Sequence, residues 1–262
     1  MMTARITPTE DVRVGVRDGI LRVTLDRPDV RNALSLGALQ QLRQIFVEHA
    51  EDTRLRVAIL TSTGDKAFAS GGDLKELQSV RSSRDAASLS EHGKSALNAV
   101  RDFPVPVVAG LQGVALGGGA ELALACDHRF AAANAAIGFI HCRLAIAPSW
   151  GGGVDLMRLV GPSRGMRLLL SGEILSSREA CEIGLYDAVV PEGGDFESGL
   201  EEFVRRMHGH PPQVMRAIKS LAMGERNLDR PALQAAETAH FSEVWIHVDH
   251  WAAVDRAMRS RS

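Results

Sequence analysis

Cysteine is scarce in this chain of 262 residues. There are three, Cys126, Cys142 and Cys181, with no C-x-x-C spacing. An odd number without paired spacing argues against a disulfide framework or a zinc knuckle, and fits a reducing compartment. Charge imbalance is also lacking. The formal net charge is -2, so nothing marks a nucleic-acid surface or a strongly membrane-attracted one. No run approaches the roughly 18 consecutive apolar residues of a membrane span. The first residues, "MMTARITPTE", contain no apolar stretch of signal-peptide length. These absences lead to the expectation of a cytoplasmic protein with a loose tail over residues 1–10. Nucleotide-binding signatures are missing too: neither G-x-G-x-x-G nor G-x-x-x-x-G-K-[ST] occurs.

What is present is an ordinary globular composition, 45% hydrophobic and 24% charged, with enough length for a substantial core. "VRVGVRDGILRVTLDRP" alternates apolar and polar positions about Asp18-Gly19, which predicts a hairpin with a type I′ turn. "SLGALQQLRQIFVEHAED" places Leu39, Leu42, Ile45 and Phe46 at helical spacing behind Ser35, a candidate N-cap. "RVAILTS" reads as a buried strand running into the glycine loop "ASGGDLKEL". A polar helix over Ala86 to Arg101 follows. The strand "VPVVAGLQG" then leads into "VALGGGAELALACD", and "HRFAAANAAIGFIH" reads as short strands. Strand, glycine loop and helix thus recur in similar order, which predicts α/β topology with right-handed crossovers. Beyond Gly153 the spacing is almost all helical, with one strand at "YDAVV". The expected organisation is an α/β core over 11–191 and a helical region over 192–262. The apolar weight of Phe241, Val244, Trp245, Val248 and Trp251 can cover either the chain's own core or a neighbouring subunit.

Two glycine loops, "SGGD" and "LGGGAE", carry the chemical interest. Missing side chains let backbone approach a ligand closely. A helix opening at "LGGGAE" would present free N–H groups and the positive end of its dipole. Two such loops could each aim one N–H at a single oxygen, an oxyanion hole; each donor is typically worth roughly 3–4 kcal/mol in the transition state. The alternative is that the glycines only make tight turns. "GPSRG" matches the G-x-S-x-G pattern of a serine hydrolase. The residues before it are spaced as a helix, so Ser163 is expected to cap the next helix and not to act as a nucleophile. "FIHCRLAIAPSWGGG" sets one imidazole, His141, ahead of a Pro-Ser-Trp-Gly turn.

"RPDVRNAL", "AFASGGDLKEL", "GLQGVALGGGAELALACDHRFAA" and "APSWGGG" occur in the order seen in the crotonase (enoyl-CoA hydratase/isomerase) superfamily, which the chain resembles from about Ile20 onward. The resemblance implies a spiral of ββα units with a helical C-terminal region, assembled as a homotrimer or a homohexamer. It implies an acyl-CoA substrate whose thioester enolate is stabilised by two main-chain N–H groups, here those of Gly72 and Gly118. Arg31, Ala33 and Leu34, with Asp73, Leu74 and Lys75, resemble its CoA-cradling surface. No separate cofactor and no metal are implied, since CoA is part of the substrate.

Hydratases of that superfamily use two carboxylates. One corresponds to Glu121. The other lies seven positions before the loop proline, and counting back from Pro148 reaches His141. "F-x-H" followed by "I-x-PSWGG" resembles the ethylmalonyl-CoA decarboxylase group, whose members remove CO2 from 2-alkylmalonyl-CoA. A malonyl carboxylate would be repelled by a second acid but not by an imidazole. On this reading His141 orients the leaving carboxylate or supplies a proton, Glu121 positions or relays, and Trp150 forms an apolar wall. The alternatives are an enoyl-CoA hydratase or isomerase with an altered acid/base pair, and a non-catalytic acyl-CoA-binding member. An interior histidine, a helix-start acid and a packed indole are the plainer readings of the same three side chains.

Overall fold

The computed structural model describes residues 11–227, 230–246 and 248–259. The segment 1–10, expected to be a loose tail, lies outside them, as does the side chain of Val244. Strands β1 (Val12–Arg17) and β2 (Ile20–Leu25) form the hairpin. Asp18 and Gly19 have φ of 53° and 78°, the two positive values a type I′ turn requires. Helix α1 (Leu36–His49) starts at Ser35, whose hydroxyl accepts the Ala38 N–H. Such a cap contributes about 1 kcal/mol. Leu39, Leu42, Ile45 and Phe46 form its buried stripe, and Phe46 meets Phe103 edge-on at 5.1 Å.

Three turns of a spiral follow. The first is β3 (Val57–Ser62), β4 (Ala67–Ala69), α2 (Leu74–Leu77) and α3 (Ser83–Arg101). The second is β5 (Val107–Leu111), β6 (Val114–Leu116) and α4 (Gly118–Ala125). The third is β7 (His128–Ala131), β8 (Ala136–Gly138), a 3-10 turn (Ile140–Leu144), α5 (Gly152–Val160) and α6 (Pro162–Ser171). With two later strands, β9 (Ile174–Ser176) and β10 (Ala188–Val189), each turn gives its first strand to a six-stranded sheet, ordered β1-β2-β3-β5-β7-β10, and its second to a four-stranded sheet, ordered β4-β6-β8-β9. Strands β3 and β5 are buried throughout, as expected for strands covered on both faces.

Strand β9 (Ile174–Ser176) pairs antiparallel with β8, and β10 (Ala188–Val189) parallel with β7; α7 (Ser177–Glu182) lies between them. Only the second of these strands, within "YDAVV", is expected from the sequence. Three residues are too few to show a period of two. Ser163 also departs from expectation. It is exposed in the first turn of α6, behind helix α5. The N-cap is Gly161 at φ 81°, a value a serine there would resist, so Ser163 is neither cap nor strand-borne nucleophile.

Helices α8 (Phe196–His208), α9 (Pro212–Asn227), α10 (Arg230–Trp245) and α11 (Val248–Arg259) complete the chain. Buried polar groups fasten them: Lys219 of α9 pairs with Asp127 at 2.6 Å, and Lys94 of α3 donates to the Gln234 carbonyl of α10 at 2.7 Å. Val248 is 72% exposed, so of the two coverings expected for it the chain's own core is not the one. Among the described residues no helix is long and apolar enough to cross a membrane.

Candidate active site

The spiral delivers the site. Strands β4, β6 and β8 are neighbours and run parallel, with Ala69 opposite Ala115 and Leu116 opposite Gly138. The segments leaving their C-terminal ends therefore lie side by side, the usual position for ligand contacts in parallel sheets. Those three segments carry Gly72, Gly118 and His141.

Gly71, at φ 106°, folds the first segment onto the second: a Cβ on Gly71 would stand 3.7 Å from the Gly118 nitrogen. The main-chain N–H groups of Gly72 and Gly118 have no acceptor among the described residues. At Gly118 the reason is its place as the first residue of α4. Both glycines also rest against the indole of Trp150. A Cβ on Gly72 would lie 3.7 Å from it and one on Gly118 would lie 2.3 Å from it. Gly119 is pressed against the Ala69 carbonyl, 2.1 Å from an added Cβ, which seats α4 on β4.

Glu121 projects from the first turn of α4 and is 1% exposed. One carboxylate oxygen accepts the N–H groups of Trp150 and Gly152, each at 3.0 Å. The other meets His141 Nε2 at 3.3 Å. A carboxylate only accepts, so the imidazole proton is assigned to Nε2. In the neutral ring the lone pair then sits on Nδ1, which is buried and has no partner among the described residues. Arg101, 1% exposed, supports the pair from behind. It donates to the Trp150 carbonyl at 3.0 Å and to Asp155 at 2.8 Å, fixing the segment whose N–H groups hold Glu121.

These residues open on a cavity of about 860 Å3, large for a small-molecule site, where roughly 300–1,000 Å3 is usual. Arg31, Ala33, Asp73, Leu74 and Lys75 line it with Gly72, Gly118, Glu121, His141 and Trp150. Leu34 does not. It is 2% exposed and packs in the core. Its main chain binds the glycine loop instead: its N–H donates to the Gly71 carbonyl at 2.8 Å, and its carbonyl accepts the Asp73 N–H at 3.1 Å. Asn32, at φ 53°, stitches the same segment to the Thr63 and Ala67 carbonyls. The Leu34 main chain therefore serves as a scaffold for the loop. The sequence reading also missed Arg143 at the wall, and an apolar region made by Leu77, Leu89, Phe241 and Trp245 with His250 beside it. Phe241 and Trp245 carried an apolar signal, but nothing in the sequence directed them to this cavity.

Parallel-strand ends, two N–H groups without an acceptor among the described residues and one buried acid–imidazole pair thus meet in one cavity. The sequence profile of the family described as enoyl-CoA hydratase/isomerase matches residues 15–254. The chain belongs to that family. It is 34% identical to the mitochondrial methylglutaconyl-CoA hydratase of Mus musculus, over 86% of this chain and 73% of that protein. It is 28% identical to the short-chain-enoyl-CoA hydratase of Clostridium acetobutylicum, over 91% of each. The crystal structure of an enoyl-CoA hydratase from Bacillus anthracis superimposes with a TM-score of 0.79 at 31% identity, covering 96% of this chain and 97% of that one.

Proposed function

We propose that the chain binds an acyl-CoA thioester with its carbonyl oxygen between the Gly72 and Gly118 N–H groups, and hydrates or isomerises a 2-enoyl-CoA through the resulting enolate. The observation that carries this reading is the meeting of those two N–H donors with the Glu121–His141 pair in one cavity. The donors accept the charge that develops on oxygen. The pair supplies one transferable proton between ring and carboxylate, enough to deprotonate water and return a proton to carbon if the two groups act in turn. Arg31, Lys75 and Arg143 at the wall would meet the CoA phosphates. The hydratase names of the relatives support this choice over a decarboxylase.

One observation favours a second reading. Where two carboxylates would be expected near the hole, the structure has Glu121 hydrogen-bonded to an imidazole. A 2-alkylmalonyl-CoA carboxylate could approach that imidazole without repulsion and leave as CO2. The non-catalytic reading is disfavoured because Glu121 and both glycine loops are intact. Assembly as a trimer or pair of trimers is proposed with the function; Met166, Leu170 and Ile174 supply exposed apolar surface for it.

Mass-spectrometric product analysis against enoyl-, 3-hydroxyacyl- and 2-alkylmalonyl-CoA thioesters tests these readings. Water addition to an enoyl-CoA supports the first. Loss of CO2 alone replaces it with the second. Binding without any product supports the non-catalytic member.

A further inference from the structure

One residue of α11 touches the turn that carries His141. His250 Nδ1 lies 2.6 Å from the Leu144 carbonyl, and a carbonyl only accepts, so Nδ1–H is the donor. Leu144 ends the 3-10 turn Ile140–Leu144. The turn's main-chain closing bonds are local: Ala145 N–H to the Cys142 carbonyl at 3.0 Å and Ile146 N–H to the His141 carbonyl at 3.2 Å. Ala145 sits at φ 55°, which a residue with a Cβ seldom adopts. Short 3-10 turns have poor hydrogen-bond geometry of their own, so outside contacts help to set how this one is aimed.

The His250 ring is itself firmly held. It is 1% exposed, with the Trp245 and Trp251 rings 4.5 and 4.6 Å away. Trp245 donates its indole N–H to the Val80 carbonyl at 2.6 Å. The Arg81 guanidinium stands 3.1 Å from the centroid of Trp251. Val80 and Arg81 belong to the segment leaving α2. Leu77 of α2, which a Cβ on Gly72 would approach to 3.0 Å, packs in one cluster with Phe241 and Trp245. The same aromatic group thus rests on the segment after Gly72 and, through His250, grips the turn that carries His141.

We propose that His250 is a positioning residue: its hydrogen bond to the Leu144 carbonyl holds the 3-10 turn so that His141 stays aligned on Glu121. The proposal rests on reading His141 and Glu121 as the proton-transfer pair. On this reading His250 acts through Leu144. Asparagine can place an amide N–H where Nδ1–H stands; phenylalanine keeps the ring contacts and loses the donor.

The test compares wild type, His250→Phe and His250→Asn in the full chain. Turnover and its pH profile are measured on the substrate found by product analysis, and butyryl-CoA binding by calorimetry. His250→Phe is expected to lower kcat roughly tenfold to a hundredfold, the size of loss a small misplacement brings. Its pH profile should shift, while KM and butyryl-CoA affinity stay within about twofold. His250→Asn should recover most of kcat. Wild-type kcat and pH profile in His250→Phe overturn the proposal, as does a parallel fall of kcat and butyryl-CoA affinity without rescue by asparagine. Should His250→Phe not fold, His250→Leu reads the same outcomes. A wild type that neither binds nor turns over any acyl-CoA is a different result: it removes the proposed function itself.

Discussion

The indole of Trp150 lies so close to Gly93 that a Cβ built there would stand 2.2 Å from its Nε1. Gly93 sits mid-helix in α3, where glycine costs about 1 kcal/mol relative to alanine. The close approach explains its place, because the indole fills the space a side chain would take. Gly72 and Gly118 bound the same ring. Gly93→Ala should therefore destabilise the protein by about 1–3 kcal/mol through overpacking, despite better helix propensity. Combining it with Trp150→Leu should make the two effects non-additive. Urea denaturation of the four proteins measures both; a Gly93→Ala variant as stable as wild type contradicts the packing described.

Glu121→Gln keeps an oxygen for the Trp150 and Gly152 N–H groups and removes the charged partner of His141. Turnover should fall roughly 10²–10⁴-fold, the usual worth of acid–base catalysis. KM and melting temperature should change little. Steady-state kinetics with a thermal melt separate this from a structural role, in which stability and KM would move with kcat.

Among the described residues Arg101 is the largest fully buried side chain, and it is paired with Asp155 at 2.7 Å. Arg101→Met removes the cation from the buried pair and a donor from the Trp150 carbonyl. A loss of about 3–5 kcal/mol is expected, as when one member of a buried pair is deleted. Chemical denaturation reads it, and turnover should fall as well because the Trp150–Gly152 segment holds Glu121.

Burial pushes His250 below the ordinary histidine range; the Leu144 carbonyl opposes this, and the charge of Arg81 adds to the lowering. The unfolded chain therefore takes up this proton at higher pH than the folded one. The sign follows: the contribution is present above the unfolded value of about 6.5 and is lost as pH falls from there through the folded value. Melting temperature should drop between pH 7.5 and roughly 5, and drop less in His250→Asn. Equal slopes in the two proteins would show that this ring does not titrate with folding.

Much of the architecture was readable because its signals are local. Asp18-Gly19, Ser35 and the apolar run 57–60 of β3 each declare their structure within a few residues. The two glycine loops were legible as loops, and their alignment followed from motif order. Three things were not. Leu34 stands inside a motif that looks like ligand-binding surface, yet its side chain turns into the core and its main chain does the work. The three-residue β9 forms only because β8 offers it an edge. The service of Gly93 to Trp150, and of α11 to the His141 turn, joins residues 57 and 106 positions apart in the sequence, and neither pairing leaves a local trace.

The central claim is that the Gly72 and Gly118 N–H groups stabilise a thioester enolate beside Glu121 and His141. Butyryl-CoA incubated with the protein in D2O tests it most directly, with deuterium at the α-carbon followed by NMR. The account predicts stereospecific incorporation by the wild type and almost none by Glu121→Gln. Saturating binding of butyryl-CoA by the wild type, with its α-protons never exchanging, would contradict it.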